Sequence, residues 1–291
     1  MRNVLVLMST YNGETYIKEQ LDSIYHAKDV TVDCFIRDDG SCDSTVSILQ
    51  EYNERMGLQY YVGTNIRPAQ SFRDLIVKCE LGYDAYAYAD QDDIWDEDKL
   101  KSATDALQSF SDTPCLWYCG VSMFGEREDK YVCSKERAED LRAILMTFAT
   151  INGCCMVFNE PLLKILKNAP MGLIDMHDSW TNYLCVASGG KIISDSKCYV
   201  HYRIHSANVL GKKDSIMKKI RRFMHSSRLR AKTVECIMSQ DVASQYISII
   251  AKYSNPYRLN NWINLLRERK PESISMSEFR KFKVQLLLKK Y

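Results

Sequence analysis

The sequence predicts an α/β fold, with a mostly parallel sheet flanked by helices and a helical extension after it. Strand-like runs alternate with amphipathic helical segments through the first half of the chain, which is the pattern of βαβ units. The first run, VLVLM, is apolar throughout, as in strands covered on both faces. Strand patterns end near residue 211, and every later segment has helical spacing. We therefore predict a main domain over residues 1–211 and a basic helical extension over residues 212–291.

Four strand–helix pairs are assigned in the first half from the spacing of apolar residues. Ile17, Leu21 and Ile24 lie on one stripe of the first helix, and Asp43 or Ser44 is suited to cap the second. The predicted strands lie within residues 4–8, 31–41, 58–63 and 84–90, and the predicted helices within residues 15–25, 43–52, 70–80 and 97–110. This order favours parallel pairing, with helices on both faces of the sheet.

The pattern is less regular after Pro114, and the later elements are assigned one by one. A charged segment, residues 125–140, is predicted to be an exposed insertion. Strands are predicted within residues 115–124 and 153–158, helices within residues 141–149, 160–169 and 176–190, and a strand pair within residues 191–211.

Composition narrows the class of protein without choosing a function. The chain has 291 residues, of which 46% are hydrophobic and 26% charged, so it can bury a sizeable core. Its net charge of +2 favours neither nucleic acid nor an acidic partner. The eleven cysteines are scattered without zinc-site spacing, and no leader or long apolar stretch is evident. We expect reduced thiols in a cytosolic compartment.

Polar side chains follow four of the predicted strands, in the segments STYNG, RDDGS, GTNIR and ADQDD. In an open α/β sheet, ligands bind beyond the carboxyl ends of the strands. Three of these segments carry groups that suit a nucleotide-sugar: hydroxyls, an aromatic ring and carboxylates. The sequence therefore predicts a ligand site at this edge of the sheet.

The acidic cluster after the fourth strand has the spacing of a cation site. Asp90 and Asp92 form a D-x-D pair, and Mg²⁺ or Mn²⁺ binds through one or two carboxylates together with substrate phosphates. The alternative is an acidic patch favoured by the dipole of the following helix. That alternative accounts for residues 96–98 but leaves Asp90 unexplained, so we favour the metal site.

The motifs resemble those of family 2 glycosyltransferases with the GT-A fold, in the bacterial rhamnosyltransferase-like branch. The resemblance covers residues 1 to about 211, where six motifs occur in the family's order: STYNGETYIKEQLDSI, IRDDGSCDST, YADQDDIWDEDKL, NGCCMVFN, HDSW and YRIHSANVLG. The chain departs from the family pattern at Ser206, where a glycine is usual, and at residues 66–68.

The resemblance implies roles for individual residues. It implies that a nucleotide-sugar donor is bound by Ser9, Tyr11, Asp39, Asp90, Gln91 and Arg203. Asp92 would be the principal ligand of Mn²⁺ or Mg²⁺, and His205 would approach the metal. Asp93 would help to hold the loop, and Asp38 is interpreted as a turn residue.

The motif HDSW supplies the candidate catalytic residue. Inverting sugar transfer needs a general base that takes the proton of the acceptor hydroxyl, and the resemblance assigns this role to Asp178. The alternative is that Asp178 only caps a helix, which Asp175 could do equally well. His177 is predicted to pack or to face the acceptor.

The implied reaction moves a sugar from dTDP-rhamnose or a UDP-hexose to a glycan or a lipid-linked glycan in bacterial surface polysaccharide synthesis. Two other classes stay open: a nucleotidyl or phosphoryl transferase, and a non-catalytic sugar-nucleotide-binding scaffold at a membrane surface. The first would usually have a G-x-x-x-x-G-K-[ST] loop, which the chain lacks. The second would bind the donor without turnover and would not need Asp178.

The start of the extension is strongly basic. Residues 212–232 contain nine Lys or Arg residues, with apolar residues at helical spacing. Such a helix suits peripheral binding to an anionic membrane surface at the inner face of the cell membrane. The alternative is that its apolar face packs on the main domain, and the sequence leaves the two equal. No nucleic-acid-binding module accompanies the charge.

Overall fold

The computed structural model describes residues 1–125, 129–131, 133, 138–147, 151–169, 176–205, 242–254 and 256–287. These residues form a mixed nine-stranded sheet flanked by helices. The strands are β1 (Arg2–Thr10), β2 (Val30–Asp38), β3 (Gln59–Val62), β4 (Ala85–Ala89), β5 (Ile94–Trp95), β6 (Cys115–Gly125), β7 (Asp129–Tyr131), β8 (Met156–Phe158) and β9 (Lys191–Ile204).

The helices follow the strands much as the apolar spacing predicts. They are α1 (Ile17–Tyr25), α2 (Thr45–Met56), α3 (Pro68–Lys78), α4 (Lys99–Leu107), α5 (Leu141–Thr147), α6 (Glu160–Asn168), α7 (His177–Ala187), α8 (Ser244–Ser254), α9 (Leu259–Arg267) and α10 (Met276–Leu287), with a 3₁₀ turn at Gly153–Cys155. The α1 stripe of Ile17, Leu21 and Ile24 is fully buried. Ser44 is the N-cap residue of α2, although Asp43 Oδ1 accepts the Thr45 N–H, at 3.0 Å.

The sheet order is β3-β2-β1-β4-β8-β6-β9-β5, and β7 pairs with β6. Strands β1 to β4 are parallel, as predicted, whereas β8 pairs antiparallel with both β4 and β6. The apolar run at residues 4–8 lies in the core, with at most 4% of any of its side chains exposed. The parallel half therefore brings the carboxyl ends of β1, β2 and β4 to one edge.

The structure adds two short strands, β5 and β7, to those that were predicted, and it replaces the start of the predicted strand pair with one strand. Residues 94–95 form a strand that pairs antiparallel with β9, through Ile94 and His201, inside the segment that was assigned to the acidic cluster. The first part of the predicted strand pair is one long strand, β9. It pairs in parallel with β6, and the register between the two strands shifts part-way along. The predicted insertion contains β7, whose three residues are exposed but pair with β6. The pairings of β5 with β9 and of β6 with β9 depend on partners distant in sequence, which local periodicity does not report.

Of the three C-terminal helices, α8 and α10 pack on α5, and α9 packs on α8 and α10. The unit shares the hydrophobic core through Ile250, Tyr253 and Phe282. The Ala243 N–H donates to the Ala187 carbonyl at 2.9 Å, which joins the start of this unit to α7. The predicted boundary at residue 211 and the basic segment 212–232 lie outside the described residues, so both stay predictions. Among the helices that the structure describes, none is long and apolar enough to span a bilayer.

Candidate functional site

The polar segments after β1, β2 and β4 meet at the carboxyl edge of the sheet. The register places Thr10 opposite Asp38, and Met8 opposite both Ile36 and Ala89. Ser9 is partly buried near the end of β1, and Tyr11 follows with 46% of its surface exposed. An exposed aromatic ring at a strand end is accessible for stacking by a planar ligand.

The loop after β1 is fastened to the loop after β2 by side chains of both loops. The Asn12 N–H donates to Ser41 Oγ at 2.8 Å, and the Cys42 N–H donates to Asn12 Oδ1 at 2.9 Å. The Gly13 N–H donates to Thr45 Oγ1 at 2.8 Å. These bonds hold the two loops as one unit beside the strand ends.

Gln91 joins the acidic loop to the same unit. Its Oε1 accepts the Tyr11 N–H at 2.9 Å, and its Nε2 donates to the Tyr11 carbonyl at 3.2 Å. A Cβ on Gly13 would lie 2.4 Å from Gln91 Oε1, so a larger residue there would displace the Gln91 amide. Gln91, predicted to face the ribose and the diphosphate, thus also fixes the backbone that presents Tyr11.

The two acids after β2 have different surroundings. Asp38 is fully buried and accepts the N–H groups of Gly40 and Ser41 at 3.0 and 2.8 Å, which makes it a turn residue, as predicted. Asp39 is 3% exposed, forms an ion pair with Arg37, and accepts from Ser71 Oγ at 2.6 Å. Asp39 therefore lies in a buried network with Arg37 and Ser71, next to the position where the nucleobase pocket is predicted.

Arg37 and Ser71 were not among the predicted site residues. Arg37 lies inside a strand pattern and Ser71 inside a helical one, so neither belongs to the polar segments that follow the strands. Both are less than 5% exposed, and Arg37 also donates to the Thr64 carbonyl at 2.9 Å. A charged residue in a predicted buried strand is itself the sign that could have found this network.

The acidic loop contacts the end of β9 directly. His205 Nε2 lies 2.9 Å from Asp92 Oδ2, although the residues are 113 positions apart. Their side chains keep 18% and 15% of their surfaces exposed. The pairing of β5 with β9 accounts for this contact, because it lays the segment after the acidic loop along the end of β9. The two residues that the resemblance implies at the metal therefore lie together.

Arg203 reaches the same loop from β9. Its N–H donates to Asp93 Oδ1 at 3.2 Å, and its Nε donates to the Asp92 carbonyl at 3.0 Å. Its guanidinium also forms an ion pair with Glu19 and lies 4.5 Å from the centroid of the Tyr16 ring. The contacts described for Arg203 therefore hold the acidic loop.

Burial and neighbouring carboxyls act on Asp90 and Asp93 at this edge. Burial raises the pKa of Asp90, and the charges of Asp92 and Asp178 raise it further. Burial likewise raises the pKa of Asp93, with contributions from Asp90 and Asp92. Crowding of this kind is relieved by a cation, and carboxylate and imidazole groups are ligands that Mn²⁺ accepts.

The positions of possible metal-ligand atoms also suit a divalent cation. Oxygen or sulfur atoms of Asp90, Asp93 and Cys154 lie within 4.8 Å of one another. Asp93 is fully buried, and its Oδ2 has no hydrogen-bond partner among the described residues. Asp92 and His205, which are partly exposed, remain the better candidates for a metal that must also contact a substrate phosphate.

Asp178 lies in the first turn of α7, one residue after the helix start. The N-cap residue is Met176, and Asp178 Oδ1 accepts the N–H of Ser179 at 2.5 Å. Burial raises the pKa of Asp178 to about 6, against an opposing effect of the Ser179 and Gly153 N–H groups. Asp178 is therefore not the N-cap residue, and Asp175 lies outside the described residues.

His177 is a packing residue, which was one of its two predicted roles. Its ring stacks on Phe72, with centroids 3.8 Å apart, and meets the Tyr88 ring edge-on at 4.8 Å. Burial lowers its pKa to about 3, so the imidazole is neutral at ordinary pH. A neutral histidine buried between two rings leaves the neighbouring Asp178 as the candidate base of this motif.

Comparison with known proteins agrees with the sequence motifs. The model of the family described as glycosyl transferase family 2 matches residues 5–163. The chain is 31% identical to the dTDP-rhamnosyl transferase RfbG of Shigella flexneri over 232 residues, which is 74% of this chain and 77% of that protein.

Solved structures share the fold at lower identity. S. aureus TarS (residues 1–349) in complex with UDP-GlcNAc superposes with a TM-score of 0.63 at 17% identity, covering 98% of this chain and 81% of that one. The mannosyltransferase PcManGT of Pyrobaculum calidifontis, in complex with GDP-Man and Mn²⁺, gives a TM-score of 0.54 at 17% identity, covering 99% and 88%. These likenesses show the GT-A fold. With this fold, the family match and the rhamnosyl transferase relative, the chain belongs to glycosyl transferase family 2 and is a glycosyltransferase.

Proposed function

We propose that this enzyme is inverting and depends on a divalent metal, and that it transfers a sugar from a nucleotide-sugar to a glycan hydroxyl in bacterial surface polysaccharide synthesis. The observation that supports this most strongly is the Asp92–His205 contact of 2.9 Å at the edge where the loops after β1 and β2 meet. The relative that transfers rhamnose from a dTDP donor supports dTDP-rhamnose as the first donor to test, with UDP-hexoses next.

On the donor side, each predicted residue has a distinct task. Tyr11 would stack on the nucleobase and Asp39 would accept a hydrogen bond from it, while Ser9 lines the pocket. Asp90 and Gln91 would face the ribose and the diphosphate, with Arg203 supporting the loop between them. Asp92 and His205 would hold Mn²⁺ or Mg²⁺. When bound, the metal supplies positive charge that neutralises the diphosphate leaving group.

On the acceptor side, Asp178 takes the proton of the attacking hydroxyl. The hydroxyl oxygen forms a bond to the anomeric carbon on the face opposite the diphosphate, whose bond to that carbon breaks. This opposite-face attack inverts the configuration of the sugar. A carboxyl with a pKa of about 6 is ionised at neutral pH and is more basic than an ordinary aspartate, which suits a general base.

The raised pKa of Asp178 predicts the acid limb of the pH profile. Because the base must be ionised, kcat/KM is expected to be low below pH 6 and to rise with pH through the pKa of about 6. An unshifted aspartate would place this limb near pH 4 (about 3.9) instead. Initial rates should be measured at saturating metal from about pH 4.5 to about pH 8, a range that brackets this pKa. We expect them to show the rise with pH. A profile that is flat down to pH 4.5 would contradict the assignment.

Donor identity is best tested by thermal shift. A ligand present at about 100 times its Kd stabilises the folded state by roughly 2.7 kcal/mol, which raises Tm by several degrees. We expect dTDP-rhamnose, or failing that one UDP-hexose, to raise Tm when Mn²⁺ is present and to do so less in EDTA. If no sugar nucleotide raises Tm under either condition, the proposed donor class is wrong.

A further inference from the structure

Lys99 is buried in an unfavourable place for a lysine. It is the first residue of α4 and is fully buried, with Nζ 2.6 Å from the Cys154 carbonyl and 3.1 Å from the centroid of the Trp95 ring. Burying an ammonium group costs free energy, and the N-terminal end of a helix disfavours positive charge. Favourable contacts with neighbouring groups must therefore offset both costs.

The Cys154 carbonyl and the Trp95 ring provide these favourable contacts, and Cys154 borders the acidic loop. Asp90, Asp93 and Cys154 have ligating atoms within 4.8 Å of one another, and Lys99 binds the backbone of the third of them. Lys99 thus fixes the turn whose Cys154 thiol lies beside Asp90 and Asp93.

Lys99 also links the donor side to the acceptor side. Cys154 belongs to the Gly153–Cys155 turn, and the Gly153 N–H lies near enough to the carboxyl of Asp178 to lower its pKa. The same glycine lies against His177, because a Cβ there would be 2.5 Å from His177 Nε2. One side chain therefore spans from the helix that follows the acidic loop to the turn that contacts the candidate base.

We propose that Lys99 is a positioning residue that fixes the acidic loop relative to the turn contacting Asp178, and so sets the spacing between the donor diphosphate and the base. The proposal rests on the proposed function, because it concerns the geometry of that reaction. Lys99 is fully buried and is not placed in contact with a substrate. Its effect would be on turnover rather than on donor affinity.

The test is Lys99→Met, which keeps the length of the stem but removes the charge and the hydrogen bond to Cys154. We expect kcat to fall by about 10²-fold, the usual effect of misplacing reacting groups by about an ångström, with donor KM within a few-fold of the wild-type value. The matched control is Lys101→Met on the same helix, where the lysine is exposed and pairs with Asp105 at 2.7 Å. Lys101→Met is expected to keep wild-type kcat.

Melting curves separate positioning from a merely structural role. A structural role predicts a lower Tm but wild-type kcat per folded molecule, and that result would overturn the proposal. If Lys99→Met does not fold, Lys99→Met combined with Asp93→Asn replaces the nearby buried carboxyl with a neutral group of the same size but does not restore the bridge to Cys154. The double variant is then expected to fold with low kcat, and wild-type kcat in it would also overturn the proposal. A wild-type enzyme without turnover would instead contradict the proposed function.

Discussion

Asp178→Asn is expected to lower kcat by roughly 10²- to 10⁴-fold, the usual contribution of a positioned general base. Asparagine has the size of aspartate and can still accept the Ser179 N–H, a bond that measures 2.5 Å in the structure. It cannot take up the proton of the acceptor hydroxyl. Because the base faces the acceptor, the affinity for the nucleotide-sugar and the metal should stay near wild type. Steady-state kinetics and calorimetric donor binding measure the two effects separately.

Asp175→Asn is the matched control, since it changes the other carboxylate of the same motif. If Asp178 merely stabilised the start of α7, asparagine would serve nearly as well, and both kcat and Tm would be retained. Wild-type kcat in Asp178→Asn, or a larger loss in Asp175→Asn, would show that the base is assigned to the wrong carboxylate. A fall in donor affinity equal to the fall in kcat would place Asp178 on the donor side instead.

Asp92→Ala is expected to abolish the metal-dependent part of nucleoside diphosphate binding. The change removes the carboxylate that contacts His205 at 2.9 Å and leaves one of the two proposed metal ligands. Changes to groups that only support a metal ligand cost about 10- to 100-fold in metal affinity, so loss of a ligand should cost at least about 100-fold. Calorimetry with UDP and dTDP, in Mn²⁺ and in EDTA, measures this difference.

Asp98→Asn is the control for Asp92→Ala, because Asp98 belongs to the same acidic segment. Its side chain is 46% exposed, and it lies 3.9 Å from Lys197 at the surface. Neutralising it should leave metal-dependent binding unchanged, since surface ion pairs contribute little. Equal losses in Asp98→Asn and Asp92→Ala would mean that overall negative charge, not ligation, attracts the metal. Unchanged affinity and metal dependence in Asp92→Ala would remove Asp92 from the site.

Much of the parallel half of the fold could be predicted because its signals are local. The apolar run at residues 4–8, the α1 stripe and the polar segments after each strand can all be identified within about ten residues of sequence. Asp38 as a turn residue follows from the same local reasoning. The contact between Asp92 and His205 is different, because no periodicity spans 113 positions. Only the order of the family's motifs implied that the two residues share a site.

The remaining features depend on tertiary contacts. A strand of two residues such as β5 exists only because β9 pairs with it. Lys99 resembles an ordinary surface lysine in a charged segment, and its burial is clear only once Trp95 and Cys154 surround it. The partners of Arg37 are likewise distant in the local pattern, because Asp39 lies in a loop and Ser71 in α3. Buried polar networks need three-dimensional neighbours, and local pattern does not show them.

The central claim is metal-dependent sugar transfer at the carboxyl edge of the sheet. Its most direct test is release of nucleoside diphosphate from dTDP-rhamnose and from UDP-hexoses, with a glycan acceptor, while Mn²⁺ is titrated into EDTA-treated enzyme. We predict that release follows Mn²⁺ or Mg²⁺ concentration in the wild type and is lost in Asp92→Ala. Release that is equally fast in EDTA, or that survives in Asp92→Ala with the same metal dependence, would contradict the proposed metal site.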